Sequence, residues 1–229
     1  MGQHRADSLD SFRMRCAGFT TIRSRAYNQR ANGAEFRFIL SGKFAMPITL
    51  HVRPGLLVRP LTAADAGPLY EVVEANRAYL RQWLTWLDDT HGPDDVRNFI
   101  EHGTSQWSRD DGYQGGIILD GTPVGTIGMH YVNRRNRSTE VGYWLAETHG
   151  RQGIMTDVAR VFVDDAFQRW DLNRVEIRTA AGNLRSQAVA LRLGFKLEGV
   201  LREIFNHYGT LLDMHVYGML RREWDALKL

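Results

Sequence analysis

The chain has 229 residues, 43% of them hydrophobic and 24% charged, which suits one large domain or a domain with an extension. No apolar run approaches the roughly 20 residues that span a bilayer, and no secretory leader follows Arg5, Arg13 and Arg15, so a cytoplasmic protein without a membrane partner is expected. The only cysteine, Cys16, excludes an internal disulfide and argues against a cysteine-based metal site, so no metal is expected.

Residues 1–45 show no sustained period and hold 8 Lys/Arg against 3 Asp/Glu, whereas residues 46–229 hold 21 against 23. The first segment reads as a basic N-terminal extension with three origins open: a disordered arm, an additional element, or residues preceding the domain's natural start, expression-derived ones included. The sequence pI of about 9.2 therefore gives the domain at 46–229 no nucleic-acid signature, and no DNA partner is expected.

Leu56 to Leu61 reads as a short strand ended near Pro60. Thr62 with Asp65 three residues on resembles a capping pattern for a helix through Ala75. Asn76 to Leu87 continues at helical spacing, and Asp94 to Trp107 forms another helix with Val96, Phe99, Ile100 and Trp107 inward. Tyr113 to Leu119 and Thr122 to Val132 are strands around the hairpin signal Asp120-Gly121. Glu140 to Leu145 is a further strand. It runs through a glycine-bearing turn, His149 to Gly153, into a helix whose Ile154, Val158 and Phe162 share one face. Arg174 to Thr179 alternates as a strand. Asn183 caps a helix from Leu184 to Leu193 that Gly194 stops, and Lys196 to Phe205 with Leu211 to Leu220 forms a last hairpin before a short helical tail. Helices around one mixed sheet in a single α/β domain are expected.

The chemistry is concentrated in the stretch from Thr139 to Asp157, around the turn His149 to Gly153. A strand feeding a glycine turn that opens a helix leaves backbone N–H groups aimed at one spot, and the helix dipole adds attraction for an anion, most simply a phosphate. There is no G-x-G-x-x-G and no G-x-x-x-x-G-K-[ST]. The competing reading is an ordinary connection whose glycines only permit the turn.

Glu140-Val-Gly-Tyr-Trp-Leu145, Gly150-Arg-Gln-Gly-Ile-Met-Thr156 and Asn183-Leu-Arg-Ser186 with Gly194-Phe195 together resemble the GNAT superfamily of acyltransferases. The likeness covers about Leu56 to Leu220. It is greatest to the branch that acetylates the N-termini of ribosomal proteins. The resemblance implies a mixed, mostly antiparallel, splayed sheet flanked by helices. It also implies acetyl-CoA as cosubstrate and transfer to an amine, foremost the α-amino group of a protein such as a ribosomal protein. Alternatives are a small amine (a polyamine or an aminoglycoside) or a non-catalytic CoA-binding module, and a homodimer is compatible with it.

The same resemblance assigns roles. Backbone groups of Val141, Tyr143 and Leu145 would pair with pantetheine, and Arg151, Gln152, Gly153, Ile154, Met155 and Thr156 would take the pyrophosphate. Asn183 would reach the pantetheine arm or tie the two splayed strands together, or only cap its helix. Glu140 is the first choice as general base and Glu203 the second. The superfamily's tyrosine acid, four residues before Gly-Phe, is Ala190 here, so Ser186 is the replacement, or else makes only a local backbone bond. Gly150 and Met155 also depart from the usual outer positions of the turn. Trp83, Trp86, His130 and Tyr131 would wall the acceptor side, although the spacing of the tryptophans equally suits core packing.

Overall fold

The computed structural model describes residues 49–228, so the extension at 1–45 lies outside the described residues. Its strands are β1 (Leu50–Arg53), β2 (Leu56–Pro60), β3 (Gln114–Leu119), β4 (Thr122–Asn133), β5 (Ser138–Leu145), β6 (Arg174–Ala180), β7 (Lys196–His207) and β8 (Thr210–Leu220). The helices are α1 (Ala66–Ala75), α2 (Arg77–Leu80), α3 (Pro93–Ser108), α4 (Ile154–Arg169), α5 (Leu184–Arg192) and α6 (Arg221–Ala226), with short 3-10 turns at Ala63–Asp65, Trp86–Asp89 and Glu147–His149. One open sheet runs in the order β1-β2-β3-β4-β5-β6-β8-β7. Every neighbouring pair is antiparallel except β5 and β6.

Alternation along β5 sets the two faces. Val141, Tyr143 and Leu145 join the main core with Val158, Phe162, Val163 and Ala166 of α4, and with Val189 and Ala190 of α5. Trp144 points the other way, onto the clusters made by Leu69 of α1, Val96 and Ile100 of α3, and Leu80 and Leu87. Helix α4 hides eight apolar side chains, of which the six larger than alanine each contribute about 1.5–3 kcal/mol when fully buried, which fixes its first turn against the sheet. Helix α5 stops as its sequence predicts. Gly194 has φ +84°, and its N–H and that of Phe195 reach back to Leu191 O and Ala190 O, both at 3.0 Å.

Three expectations change. Leu50–Arg53 adds a strand not read from the sequence, hairpinned through Gly55 at φ +77°. The helix expected from Asn76 to Leu87 is only one turn of α2 and a later 3-10 turn. Asn76 ends α1 with its side chain, donating to Val72 O at 2.8 Å and accepting from Glu147 N at 2.8 Å. Arg77 then donates to the carbonyls of Leu87 and Thr90, holding an irregular backbone in place of a helix. On α3, Val96 and Ile100 are buried but Phe99 faces solvent.

The 3-10 turn that leads into α1 depends on one buried carboxylate. Asp65 accepts from Arg59 at 2.7 and 2.8 Å and from Thr62 N at 2.7 Å. The Arg59 hydrogen bonds, against the opposing effect of burial, hold its carboxyl at about 2. A depressed carboxyl contributes stability that is complete above the ordinary value of about 3.9 and is lost as pH falls through the folded value. Asp65→Asn is therefore expected to cost about 1–2 kcal/mol at pH 7 in urea melts, and the difference from wild type should shrink as pH falls from about 4 and vanish below about 2. A difference that persists there would assign the cost to packing.

Candidate functional site

The parallel pairing of β5 with β6 is short. It holds Ser138, Thr139 and Glu140 against Arg174, Val175 and Glu176. Beyond Glu140 the strands diverge, and the edge of β5 from Val141 to Leu145 that would meet β6 has no strand partner among the described residues. A groove of about 710 Å³ opens at the divergence.

One end of the groove is the turn into α4. Arg151 and Gly153 adopt positive φ, +62° and +76°, and Gly153 is the N-cap. The first hydrogen bond back into the turn comes from Asp157 N to Gly153 O, at 3.0 Å, so the N–H groups of Ile154, Met155 and Thr156 are the free donors of the first turn. These three residues line the groove with Arg151, Gly153, His149, Arg185 and Arg192. Asp157 is the one acid in that lining, and Arg53 pairs with it at 3.0 Å. The end is thus cationic and rich in backbone donors, which suits phosphate.

The other walls come from α5 and from the segment around α2. Asn183 caps α5, its side chain accepting from Ser186 N at 3.1 Å, and both residues line the groove. Tyr143 of β5 reaches Ser186, hydroxyl to hydroxyl, at 3.1 Å. Trp83 lies against the β6–α5 turn. A Cβ on Gly182 would stand 3.2 Å from its ring, so the glycine admits the indole there.

On the opposite face of β5, Glu140 sits about one-fifth exposed, with Arg178 Nε at 3.3 Å and His130 Nε2 at 4.0 Å. His130 arrives there through a β-bulge. The β4–β5 register slips between Met129 and Val132, and the imidazole lies over Gly142, where a Cβ would meet Nε2 at 2.6 Å. A histidine–carboxylate pair invisible in the sequence spacing is formed in this way.

The residues proposed from sequence fall into three groups. Tyr143, Leu145, Arg151, Gly153, Ile154, Met155, Thr156, Asn183, Ser186 and Trp83 line the groove. Val141 is buried, so only its backbone faces the divergence, and the Gln152 side chain turns back to donate to Thr148 O at 3.0 Å. Glu140, His130, Tyr131 and Trp86 lie outside the lining, Trp86 packing on Trp144 at 6.1 Å. Glu203 occupies an exposed bulge of the edge strand β7 at φ +52°, its own N–H bonded to Asp213 at 2.9 Å. Ala190 is fully buried and is not part of the groove. Sequence reading missed Tyr79, Arg185, Ala188, Val189 and Arg192. The last four fall at i, i+3, i+4 and i+7 on α5, a single stripe that the capping signal at Asn183 could have pointed to.

The groove, with its donor-rich cationic end, is built for an anionic ligand, and comparison with known proteins gives the family. Residues 55–196 match the model of the acetyltransferase (GNAT) domain, and the chain belongs to the GNAT family of N-acetyltransferases. YdaF of Bacillus subtilis is 34% identical over 181 residues, 79% of this chain and 99% of that protein. The ribosomal-protein-serine acetyltransferase of Escherichia coli is 28% identical over 76% of this chain and 98% of its own length. Among solved structures, RimL, a ribosomal L7/L12 alpha-N-protein acetyltransferase in complex with coenzyme A, superposes with a TM-score of 0.74 at 24% identity, covering 77% of this chain and 99% of RimL. That last likeness is one of fold.

Proposed function

We propose that this acetyltransferase moves acetyl from acetyl-CoA to the α-amino group of a protein, a ribosomal protein foremost, in the cytoplasm. The observation that carries the reading is the divergence of β5 from β6 after Glu140, with the free first turn of α4 at one end of the resulting groove. The residues fit the cosubstrate. An amide-bearing arm can hydrogen-bond the unpartnered edge of β5, while Ile154, Met155, Thr156 and the arginines nearby receive its phosphates.

Transfer needs a neutral amine near the carbonyl, donors for the oxyanion, and a place for the departing sulfur. Backbone N–H groups around Val141 to Tyr143 serve the oxyanion. Glu140 accepts the amine proton through a water, with Glu203 the second choice, and Ser186 faces the sulfur. The acceptor passes Trp83, Trp86, His130 and Tyr131. Of the acids near that side, Glu74 and Asp88 are already paired with Arg77 and Arg81, at 2.8 Å each, which leaves Glu71 and Asp89 for a cationic terminus.

The α-amino target follows from acidity. Its reference pKa of ~7.7–8.0 leaves roughly a tenth neutral at pH 7, against fewer than about one in a thousand for a lysine side chain near 10.4. Peptides with a free Ser, Ala or Thr N-terminus are expected to be acetylated faster than Nα-blocked lysine peptides in a coupled thiol-release assay. A higher kcat/KM for spermidine would replace this reading with a small-amine enzyme.

A further inference from the structure

The family's tyrosine acid is missing from α5, yet a phenol stands at the site from the facing wall. Tyr143 belongs to β5, and its hydroxyl crosses the divergence to α5, 3.1 Å from Ser186 Oγ and 3.3 Å from Ser186 O. Both side chains line the groove. Ser186 is otherwise fixed only through its backbone, where its N–H bonds to Asn183. Nothing but Tyr143 orients its hydroxyl among the contacts on the described residues.

Resting on the acetyl-transfer reading above, we infer that Tyr143 is a positioning residue whose hydroxyl donates to Ser186 Oγ, leaving the single Ser186 proton to hydrogen-bond the departing sulfur. Two arrangements of the pair satisfy the distances. In one, Tyr143 donates to Oγ and the serine proton points into the groove. In the other, Ser186 donates to the phenol oxygen, Tyr143 donates to Ser186 O, and no proton is left for the sulfur. A phenol is the stronger donor of the two hydroxyls, and negative charge on the sulfur favours the first arrangement, because each donor in a chain strengthens the next.

The step balances without ionising either hydroxyl. The amine nitrogen bonds to the acetyl carbon, the carbon–sulfur bond breaks, and its electron pair stays on sulfur. The amine proton leaves through water to Glu140. Burial, partly opposed by the Ser186 hydrogen bond, pushes the Tyr143 phenol up to about 12. A thiol near ~8.5 would not draw a proton from it. The pair therefore stabilises the thiolate by hydrogen bonding alone, and Tyr143 does not act as a proton source.

The test compares wild type, Tyr143→Phe, Ser186→Ala and the double variant, all with acetyl-CoA and the fastest acceptor peptide. Tyr143→Phe is expected to lower kcat about tenfold, with KM for acetyl-CoA and the melting shift given by coenzyme A unchanged. The factor should be the same from about pH 6.5 to about pH 9, since no proton moves. Ser186→Ala should lose at least as much, and the double variant no more than Ser186→Ala, because groups acting as a unit are not additive. Full activity in Tyr143→Phe, a rate above wild type, or a double variant that multiplies the two losses would each overturn the inference. So would a 3-fluorotyrosine at position 143 that loses activity as phenylalanine does, since it keeps the shape and donates more strongly. That replacement decides the matter if Tyr143→Phe folds poorly. A wild type with no turnover on any amine would overturn the acetyl-transfer reading and this inference with it. Turnover in wild type with an unaffected Tyr143→Phe would overturn this inference alone.

Discussion

Coenzyme A is expected to raise the melting temperature of the wild type, and Gly153→Glu to abolish that rise. Ligand at about 100 times its dissociation constant adds about 2.7 kcal/mol to stability, a shift that calorimetry resolves easily. Gly153 caps α4 with φ +76° and ψ −9°, immediately before the free N–H groups of Ile154, Met155 and Thr156. A glutamate there carries negative charge to the proposed phosphate site, and Asp157 is already close, its Oδ2 4.0 Å from where the Cβ would be. The left-handed backbone adds about 1–2 kcal/mol of strain for any side chain, but Arg151 bears φ +62° in the same turn without unfolding it. Gly153→Ala separates the two effects. Its Cβ meets nothing closer than that same 4.0 Å, so it should pay the strain, melt lower, and still respond to coenzyme A. Equal shifts in wild type and Gly153→Glu would remove the α4 turn as the phosphate site and turn attention to Arg185 and Arg192.

What the sequence made legible is what is local. The strand, turn and helix from Glu140 to Arg169 lie within thirty residues, and their succession is written in period and in glycine. The cap at Asn183 and the stop at Gly194 are equally local, and both stand as read. Contacts assembled from distant segments were not legible. His130 meets Glu140 only because one extra residue in β4 rotates its side chain over Gly142. Tyr143 meets Ser186 across 43 positions, through a divergence that no periodicity records. Local rules also misled where tertiary bonds outweighed them. Asn76 to Leu87 has helical spacing, but Asn76 and Arg77 find carbonyl and amide partners elsewhere that an unbroken helix would deny them. β1 escaped notice because Leu50–Arg53 is four residues long, too short for alternation to stand out.

Glu140→Gln is expected to lower kcat by about a hundredfold, within the 10²–10⁴ range typical of general acid–base catalysis, while leaving the coenzyme A melting shift intact. The residue sits at the last rung of the β5–β6 pairing, where the strands begin to part, and its side chain projects to the face bearing Trp144 and the helices α1 to α3. Arg178 holds one of its oxygens at 3.3 Å, while Glu176, held in turn by Arg174, shares that guanidinium at 3.0 Å. Glutamine keeps the shape and one acceptor oxygen, so the fold and the strand divergence should survive. What it loses is the charge that, in the proposed mechanism, makes a water basic enough to take a proton from the amine. The loss should deepen below the acceptor's own pKa of ~7.7–8.0, where the amine is mostly protonated and needs a base before it can attack. Glu203→Gln, on the exposed bulge of β7, serves as the contrast and should stay within about twofold of wild type. If the two variants exchange these behaviours, Glu203 is the base.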